Sequence, residues 1–362
     1  MVQSLGMSLD AAVIIVCSRP ASLRRCLASL AAARDPRPLE VLAVLNGRDA
    51  ACAAAAGEFA RALPELRVLR GGPRSLGGAR NLAMAEARAG WLCFLDDDVA
   101  VPPDYFSELE AAIRRHPEAC AIGGAARTPP GSPLFERCVG HSLGSWLGAG
   151  RFRRRTAGYA ADTWTDDSGL ILCNLALRRS ALESRGFAFD EELVRNEENL
   201  LLQRLFREGG RALHAGGLFV FHERRSCLRD FCRQCCLSGK GRAEMTFKLP
   251  GALSVFHVLP LLPAACLAGG WVLPGLLLPA AGAYAAAAAL NGLRLRRVHS
   301  ERSAAAFFWL WLLAPAGHVS YAAGLAAGAW SGLLRSRRRC APAGSWKPIP
   351  WKSISTACAS RS

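Results

Sequence analysis

Apolar and polar positions change character once along this chain. Up to about Pro250, short apolar runs alternate with polar segments, whereas long stretches beyond it carry almost no charge. The run AAVIIVC (11–17), a turn at Ser18-Arg19-Pro20 and Leu23, Leu27 and Leu30 at three- to four-residue spacing predict a strand followed by a helix. LEVLAVLNG (39–47) and ELRVLRG (65–71) predict two more strands. LGGARNLAMAEARAG (76–90) predicts a glycine-opened helix leading into the strand WLCFL. Strand and helix alternation of this kind implies an α/β fold whose sheet is mostly parallel and wound with right-handed crossovers. In such sheets ligands bind at the carboxyl ends of the strands. WLCFL runs directly into Asp96, Asp97 and Asp98.

The second half reads differently. Residues 252–292 form an apolar stretch about twice the length that crosses a bilayer once. Divided at Gly269-Gly270, it predicts two membrane helices. The apolar stretch 304–334 is interrupted by Pro315 and Gly317 and fits one span or a re-entrant pair. A single span would carry RSRRR (335–339) to the outside, against the positive-inside tendency, which favours the hairpin. The expected organisation is a catalytic domain over 1–250, membrane helices over 251–334 and a basic, disordered tail over 335–362. The N-terminus shows no signal peptide, because its apolar run is short and follows an acid. Together these features imply a multi-pass protein of the cytoplasmic membrane with its catalytic domain in the cytosol.

The net charge of +16 raises the question of nucleic acid. The cations are dispersed apart from RFRRR (151–155), RLRR (294–297) and RSRRR, and two of these clusters flank apolar segments. Zinc-finger spacing, an RNA-binding aromatic motif and a basic zipper are all missing from the sequence, so a membrane surface and phosphate ligands explain the charge better than nucleic acid. Of the 14 cysteines, Cys232, Cys235 and Cys236 cluster, yet no second CxxC or paired histidine lies nearby. Reduced thiols acting as small hydrophobes account for them.

The aspartate triplet is the candidate chemistry. On extended backbone Asp96 and Asp98 point one way and Asp97 the other. Two converging carboxylates can hold a divalent ion that also takes phosphate oxygens. The competing reading is a cap for the helix expected to begin at Pro102 or Pro103; Asp98 lies too far upstream, and a cap needs one acid rather than three.

The order SRPASLRRCLASL, ARN (79–81), FLDDDV, CNLALRRSAL (173–182), GFAFDEEL (186–193), NEENLLLQRLFREGG (196–210) and FVFHE (219–223) resembles the family-2 glycosyltransferases. These are inverting enzymes with a nucleotide-sugar-binding GT-A fold, and the resemblance runs from about Ala12 to Arg242. It implies that the triplet is a DxD-type motif in which Asp98, with Asp96 and His222, holds Mg2+ or Mn2+ against the phosphates of a nucleoside-diphosphate sugar. Asp97 takes a secondary place at the donor, and Arg80 and Asn81 are placed to reach the donor or the triplet. Where relatives carry Glu-Asp, this chain has Glu197-Glu198, so Glu198 matches the base that deprotonates the acceptor. Read without the resemblance, the pair only favours a helix N-terminus. Gln234, Lys240 and Arg242 match a basic segment near acceptor or pyrophosphate; the alternative is a positive patch at the bilayer surface. Relatives place an Asp on the nucleotide base where this chain has Asn46, whose amide can still hydrogen-bond a base. The implied activity is metal-dependent transfer of a sugar to a hydroxyl of a lipid-linked or cell-envelope glycan. A polyprenyl-phosphate sugar synthase and a non-catalytic membrane scaffold are the alternatives.

Overall fold

The structure, a computed structural model, describes residues 8–47, 50–71, 74–269 and 274–338. In chain order the first elements are β1 (Leu9–Cys17), α1 (Pro20–Ala31), β2 (Pro38–Leu45), α2 (Ala50–Gly57), β3 (Leu66–Arg70), α3 (Leu76–Glu86), β4 (Trp91–Asp96), β5 (Val99–Ala100), α4 (Tyr105–Arg115) and β6 (Ala121–Arg127). There follow α5 (Leu134–Leu143), α6 (Trp146–Ala149), α7 (Arg154–Ala157), β7 (Thr163–Thr165), β8 (Leu175–Arg178), α8 (Arg179–Glu183), α9 (Glu197–Arg207) and β9 (Ala212–His222). The last helices are α10 (Leu228–Lys248), α11 (Val255–Val258), α12 (Leu261–Gly269), α13 (Pro274–Val298) and α14 (Ala304–Arg338).

These elements form two compact units. The first comprises the described residues within Met1–Arg127 and Gly158–His222; the second comprises Thr128–Ala157 and those within Glu223–Ser345. This grouping differs from the division expected near residue 250. Helix α10 belongs with α14 rather than with the sheet, because glycines bring their backbones together. A Cβ on Gly324 would strike the Cys236 carbonyl, and one on Gly239 the Tyr321 carbonyl. Of the expected tail, 335–338 end α14 and 339–362 lie outside the described residues.

In the first unit the sheet order is β3-β2-β1-β4-β8-β6-β9-β5, with β7 paired to β9. The β3-β2-β1-β4 half is parallel, as is β6-β9, whereas β8 is antiparallel to both its neighbours and β5 and β7 are antiparallel to β9. Strands β1, β2 and β4 carry the unbroken apolar runs 11–17, 41–45 and 91–95 because both faces are covered. Val13, Ile15, Val41, Ala43, Cys93 and Leu95 enter one core with α1, α2 and α4. Ala12, Ile14, Val16, Leu42, Val44, Leu92 and Phe94 enter the other with α3 and α9. Helix α4 starts at Tyr105, two residues or more beyond the expected prolines, with Asp104 at its N-cap position making no side-chain cap bond.

In the second unit α14 is one continuous helix with Pro315 inside it, which corrects the expected hairpin. An interior proline costs about 3 kcal/mol in an isolated helix. Here α14 packs on α5, α10 and α13, contacts that offset the cost. Cys232 and Cys235 pack against the cluster of Phe231, Leu310 and Leu313, as small hydrophobes do. Among the described residues one helix, spanning Ala304–Leu334, is long and apolar enough to cross a membrane. Two spans within 252–292 are not found there: α12 has nine residues, α13 does not reach the same apolarity, and 270–273 lie outside the described residues. A multi-pass arrangement is unsupported.

Candidate active site

Strand parity positions the first functional carboxylate. Leu92 and Phe94 face the core that contains Ala79, Leu82, Leu201 and Leu202 from α3 and α9, and Asp96 is the next position on that face. At the end of β4, beside Val16 of β1, its carboxylate meets a residue from α3. Arg80 Nη2 lies 3.6 Å from Asp96 Oδ1, and Arg80 Nη1 lies 2.5 Å from Glu197 Oε1 at the start of α9. One buried arginine thus joins the aspartate triplet to the acid pair a hundred residues later. Its guanidinium also lies 5.7 Å from the Phe189 ring centre.

The two glutamates are not equivalent. Glu197 is buried and ion-paired, whereas Glu198 is half-buried and accepts a 2.6 Å hydrogen bond from Asn199 Nδ2. Burial, then the neighbouring Glu198 charge, raises the Glu197 pKa against the opposing pull of Arg80. Asn196, just ahead of the pair, adopts left-handed backbone at φ 65°, a conformation asparagine tolerates better than most residues.

Asp97 faces the other way, as its parity requires. Its Oδ2 accepts hydrogen bonds from Ser18 N, Ser18 Oγ and Arg19 N, all at 2.8 Å, and Oδ1 accepts from Arg19 Nη2 at 3.1 Å. This carboxylate ties the β1–α1 turn to the end of β4. Asp98 no longer shares the direction of Asp96, because the strand ends at Asp96 and residues 97–98 form a turn. Asp98 Oδ2 lies 2.5 Å from Arg19 Nη2, and Oδ1 lies 3.2 Å from His222 Nε2. Pairing of β5 with β9, Val99 opposite His222, brings that histidine in. On its other side His222 Nδ1 is 3.8 Å from Cys173 Sγ.

Burial acts to raise the Asp98 pKa, but the hydrogen bonds and charges of His222 and Arg19 outweigh it and hold the carboxyl well below its usual range. Burial raises Asp96 instead, with Arg80 only partly opposing it. For His222, burial alone would lower the pKa, yet Cys173 and Asp98 push it up to about 10. Asp96, Cys173 and His222 each present a ligand atom within 4.8 Å of the others. The cluster holds five carboxylates, Asp96 to Asp98 and the two glutamates, against Arg19, Arg80 and His222. An excess of negative charge around three converging ligand atoms fits a divalent cation.

Other expected contacts have local partners. Asn81 is fully buried; its Nδ2 donates to Phe189 O at 3.0 Å and Glu191 Oε1 at 3.1 Å, and its Oδ1 accepts from Phe189 N. It clips the 189–191 segment to α3. Asn46 likewise donates to Arg74 O at 3.0 Å and accepts from Arg74 N at 2.9 Å, so the amide expected to read a nucleotide base closes the chain between β2 and α3. Gln234, Lys240 and Arg242 lie on α10 in the second unit. There Gln234 Oε1 accepts from Arg225 Nε at 3.1 Å, Arg242 is buried and Lys240 is exposed. Sequence reasoning passed over Arg19 and Cys173. Both stand inside quoted motifs, SRPASL and CNLALRR, and only the pairing of distant strand ends shows their use.

A family model described as glycosyl transferase family 2 matches residues 11–186. No curated protein matches the chain. Among solved structures, the mannosyltransferase PcManGT from Pyrobaculum calidifontis, in complex with GDP-Man and Mn2+, covers 90% of this chain and 88% of its own, with 16% identity and a TM-score of 0.57. S. aureus TarS 1–349 in complex with UDP-GlcNAc covers 89% and 92%, with 14% identity and a TM-score of 0.47. A longer S. aureus TarS chain covers 71% of this chain, which spans only 42% of that one, with 16% identity and a TM-score of 0.45. The matched residues hold β1, the ARN segment, the triplet and CNLALRR, and PcManGT shares the mixed sheet that carries them. Residues 11–186 of this chain thus match glycosyl transferase family 2, on a GT-A-type α/β domain.

Proposed function

We propose that the first unit transfers a sugar, with inversion, from a nucleoside-diphosphate sugar to a hydroxyl of a lipid-linked or cell-envelope glycan. The observation that carries this reading is Arg80, which pairs with Asp96 on one side and Glu197 on the other. On this reading the residues for the leaving diphosphate and for the base belong to one constellation. Glu198, the more accessible acid of the pair, accepts the acceptor hydroxyl proton as its oxygen bonds to the anomeric carbon. The sugar–phosphate bond breaks on the opposite face, and its electrons leave on the diphosphate. Glu197, anchored by Arg80, fixes the start of α9 and so the position of Glu198. Asp96 and His222 would hold a divalent cation, whose charge would stabilise the departing diphosphate. The resemblance implies Mg2+ or Mn2+; a carboxylate beside an imidazole suits Mn2+ better. GDP-Man with Mn2+ in PcManGT is a donor and metal of the same kind.

Attachment to a membrane through α14 belongs to the same proposal. Phe308, Trp311, Val319, Trp330, Leu333 and Leu334 are exposed on that helix, an apolar surface that hydrocarbon would cover. The twelve described cysteines are all free, which suits a transfer domain in the cytosol. A thermal-shift screen of UDP-, GDP- and dTDP-sugars, with and without Mn2+, tests the reading together with a product assay. Metal-dependent stabilisation by one nucleotide series is expected. Silence with every donor, and no product, would refute it.

A further inference from the structure

We propose that the second unit binds the phosphate group of an anionic lipid, between Arg151, Arg155 and Arg242 and the Nε2–H of His257. All four residues belong to that unit, and none is among the transfer residues. Of the three cationic clusters, RFRRR (151–155) is the one that flanks no apolar segment in the sequence. The short turn Gly150–Arg153 and α7 bring it against α11. The Phe152 ring centre lies 5.1 Å from that of His257 and 5.2 Å from Arg155 Cζ. Arg151 Cζ lies 5.4 Å from the ring centre of Phe256, and Arg242 is buried on α10.

His257 is the observation that points to a ligand. It is 6% exposed, and its Nδ1 accepts a 2.9 Å hydrogen bond from Ser254 N. Nδ1 therefore carries no proton, and the ring proton sits on Nε2. That Nε2–H is buried with no hydrogen-bond partner among the described residues, a costly state for a donor. Burial, then the charges of Arg242, Arg155 and Arg151, push the His257 pKa down to about 3. The ring is thus a neutral donor on which three guanidinium charges act. Their planar forks match phosphate oxygens in pairs, and a phosphate oxygen would also answer Nε2–H. Val255, Phe256, Leu259 and Leu262, on α11 and just after it, are exposed. Acyl chains would cover that apolar strip while the headgroup phosphate meets the arginines. A free phosphate would use the same donors and leave the strip in water.

Native mass spectrometry of the full-length chain, released from neutral detergent after titration with phosphatidic acid, counts bound lipid. The readout needs no sugar transfer, so it stands apart from the transfer reading. One retained phosphatidic acid per chain is expected, which phosphatidylcholine does not displace. Glycerol 3-phosphate and inorganic phosphate should compete only at about 100-fold excess or more, since they bring no acyl chains. His257→Phe keeps an uncharged ring but lacks the donor, and should weaken retention about 10-fold. His257→Gln, which restores an N–H, should recover part of that loss. Arg151→Gln with Arg155→Gln should weaken retention about 100-fold. Arg297→Gln, an exposed charge change on α13, should leave it unaltered. Undiminished retention in a cooperatively melting His257→Phe or in the double arginine variant, or an equal loss in Arg297→Gln, would overturn the assignment. Competition by inorganic phosphate as strong as by lipid would overturn the lipid as the bearer of the phosphate.

Discussion

Replacing Arg80 by Met isolates the link between the two halves of the site. Methionine keeps much of the side chain's volume while removing the charge from between Asp96 and Glu197. Asp96 is 40% exposed on its side chain and can turn to water, so its loss is small. Glu197, 5% exposed on its side chain, is left as an uncompensated buried carboxylate. Removing one partner of a buried pair costs about 3–5 kcal/mol, or roughly 6–20 °C in melting temperature for a domain of this size. The cost depends on pH. The folded Glu197 pKa is already raised by burial and Glu198, so the native state holds a proton that the unfolded chain has released. Stability therefore falls as pH rises from the ordinary carboxylate range through the raised value. Without Arg80 the folded pKa rises further and extends that window upward, so the deficit should be larger at pH 8 than at pH 5.5. In Glu197→Gln the Arg80→Met change should cost much less. Calorimetry of the four proteins of this double-mutant cycle, at both pH values, supplies the comparison. Equal losses with Glu197 and with Gln at that position would refute the pairing argument.

Three further outcomes are expected. Glu198→Gln should lower kcat by about 10²- to 10⁴-fold while donor affinity measured by calorimetry stays within a few-fold; an unchanged kcat places the base elsewhere. Asp97→Ala removes the acceptor for Ser18 N, Ser18 Oγ and Arg19 N and should destabilise the first unit by about 2–4 kcal/mol in urea unfolding, whereas a loss confined to donor binding would return Asp97 to the ligand. Gly324→Leu sets a side chain against the Cys236 carbonyl and should separate α10 from α14, seen as faster hydrogen exchange along α10; unaltered exchange would mean that the helices do not depend on that close approach.

The legible part of the fold is the part written in local pattern. Strands β1, β2 and β4 each contain an unbroken apolar run because a covered parallel sheet buries both faces of each strand, and α1 and α9 show their leucines at helical spacing. Helix α2, ACAAAAG within Ala50–Gly57, was not anticipated, since a nearly uniform alanine run has no apolar stripe to recognise. The hairpin expected over 304–334 failed for a related reason: Pro315 weakens a helix locally, but packing on neighbouring helices decides whether it breaks. The division of the chain was equally hidden, because Gly239 and Gly324 acquire meaning only when two backbones meet.

The sequence by itself determined the identity of the strand ends and the residues placed there: three aspartates after β4, an acid pair opening α9, an arginine and an asparagine on α3, a histidine closing β9. Motif order was enough for that, since each is set by its own few residues. Only the tertiary structure decided what each of them touches. Strand parity turns Asp96 toward Arg80 and α9, and Asp97 into the β1–α1 turn. The turn after β4 sends Asp98 to Arg19 and His222, and the short helical turn ahead of β8 brings Cys173 near Asp96 and His222. Apart from Asp96 and Arg80, these contacts join residues 77 to 124 positions apart and depend on strand order and register, which the whole sheet sets together and no local stretch encodes.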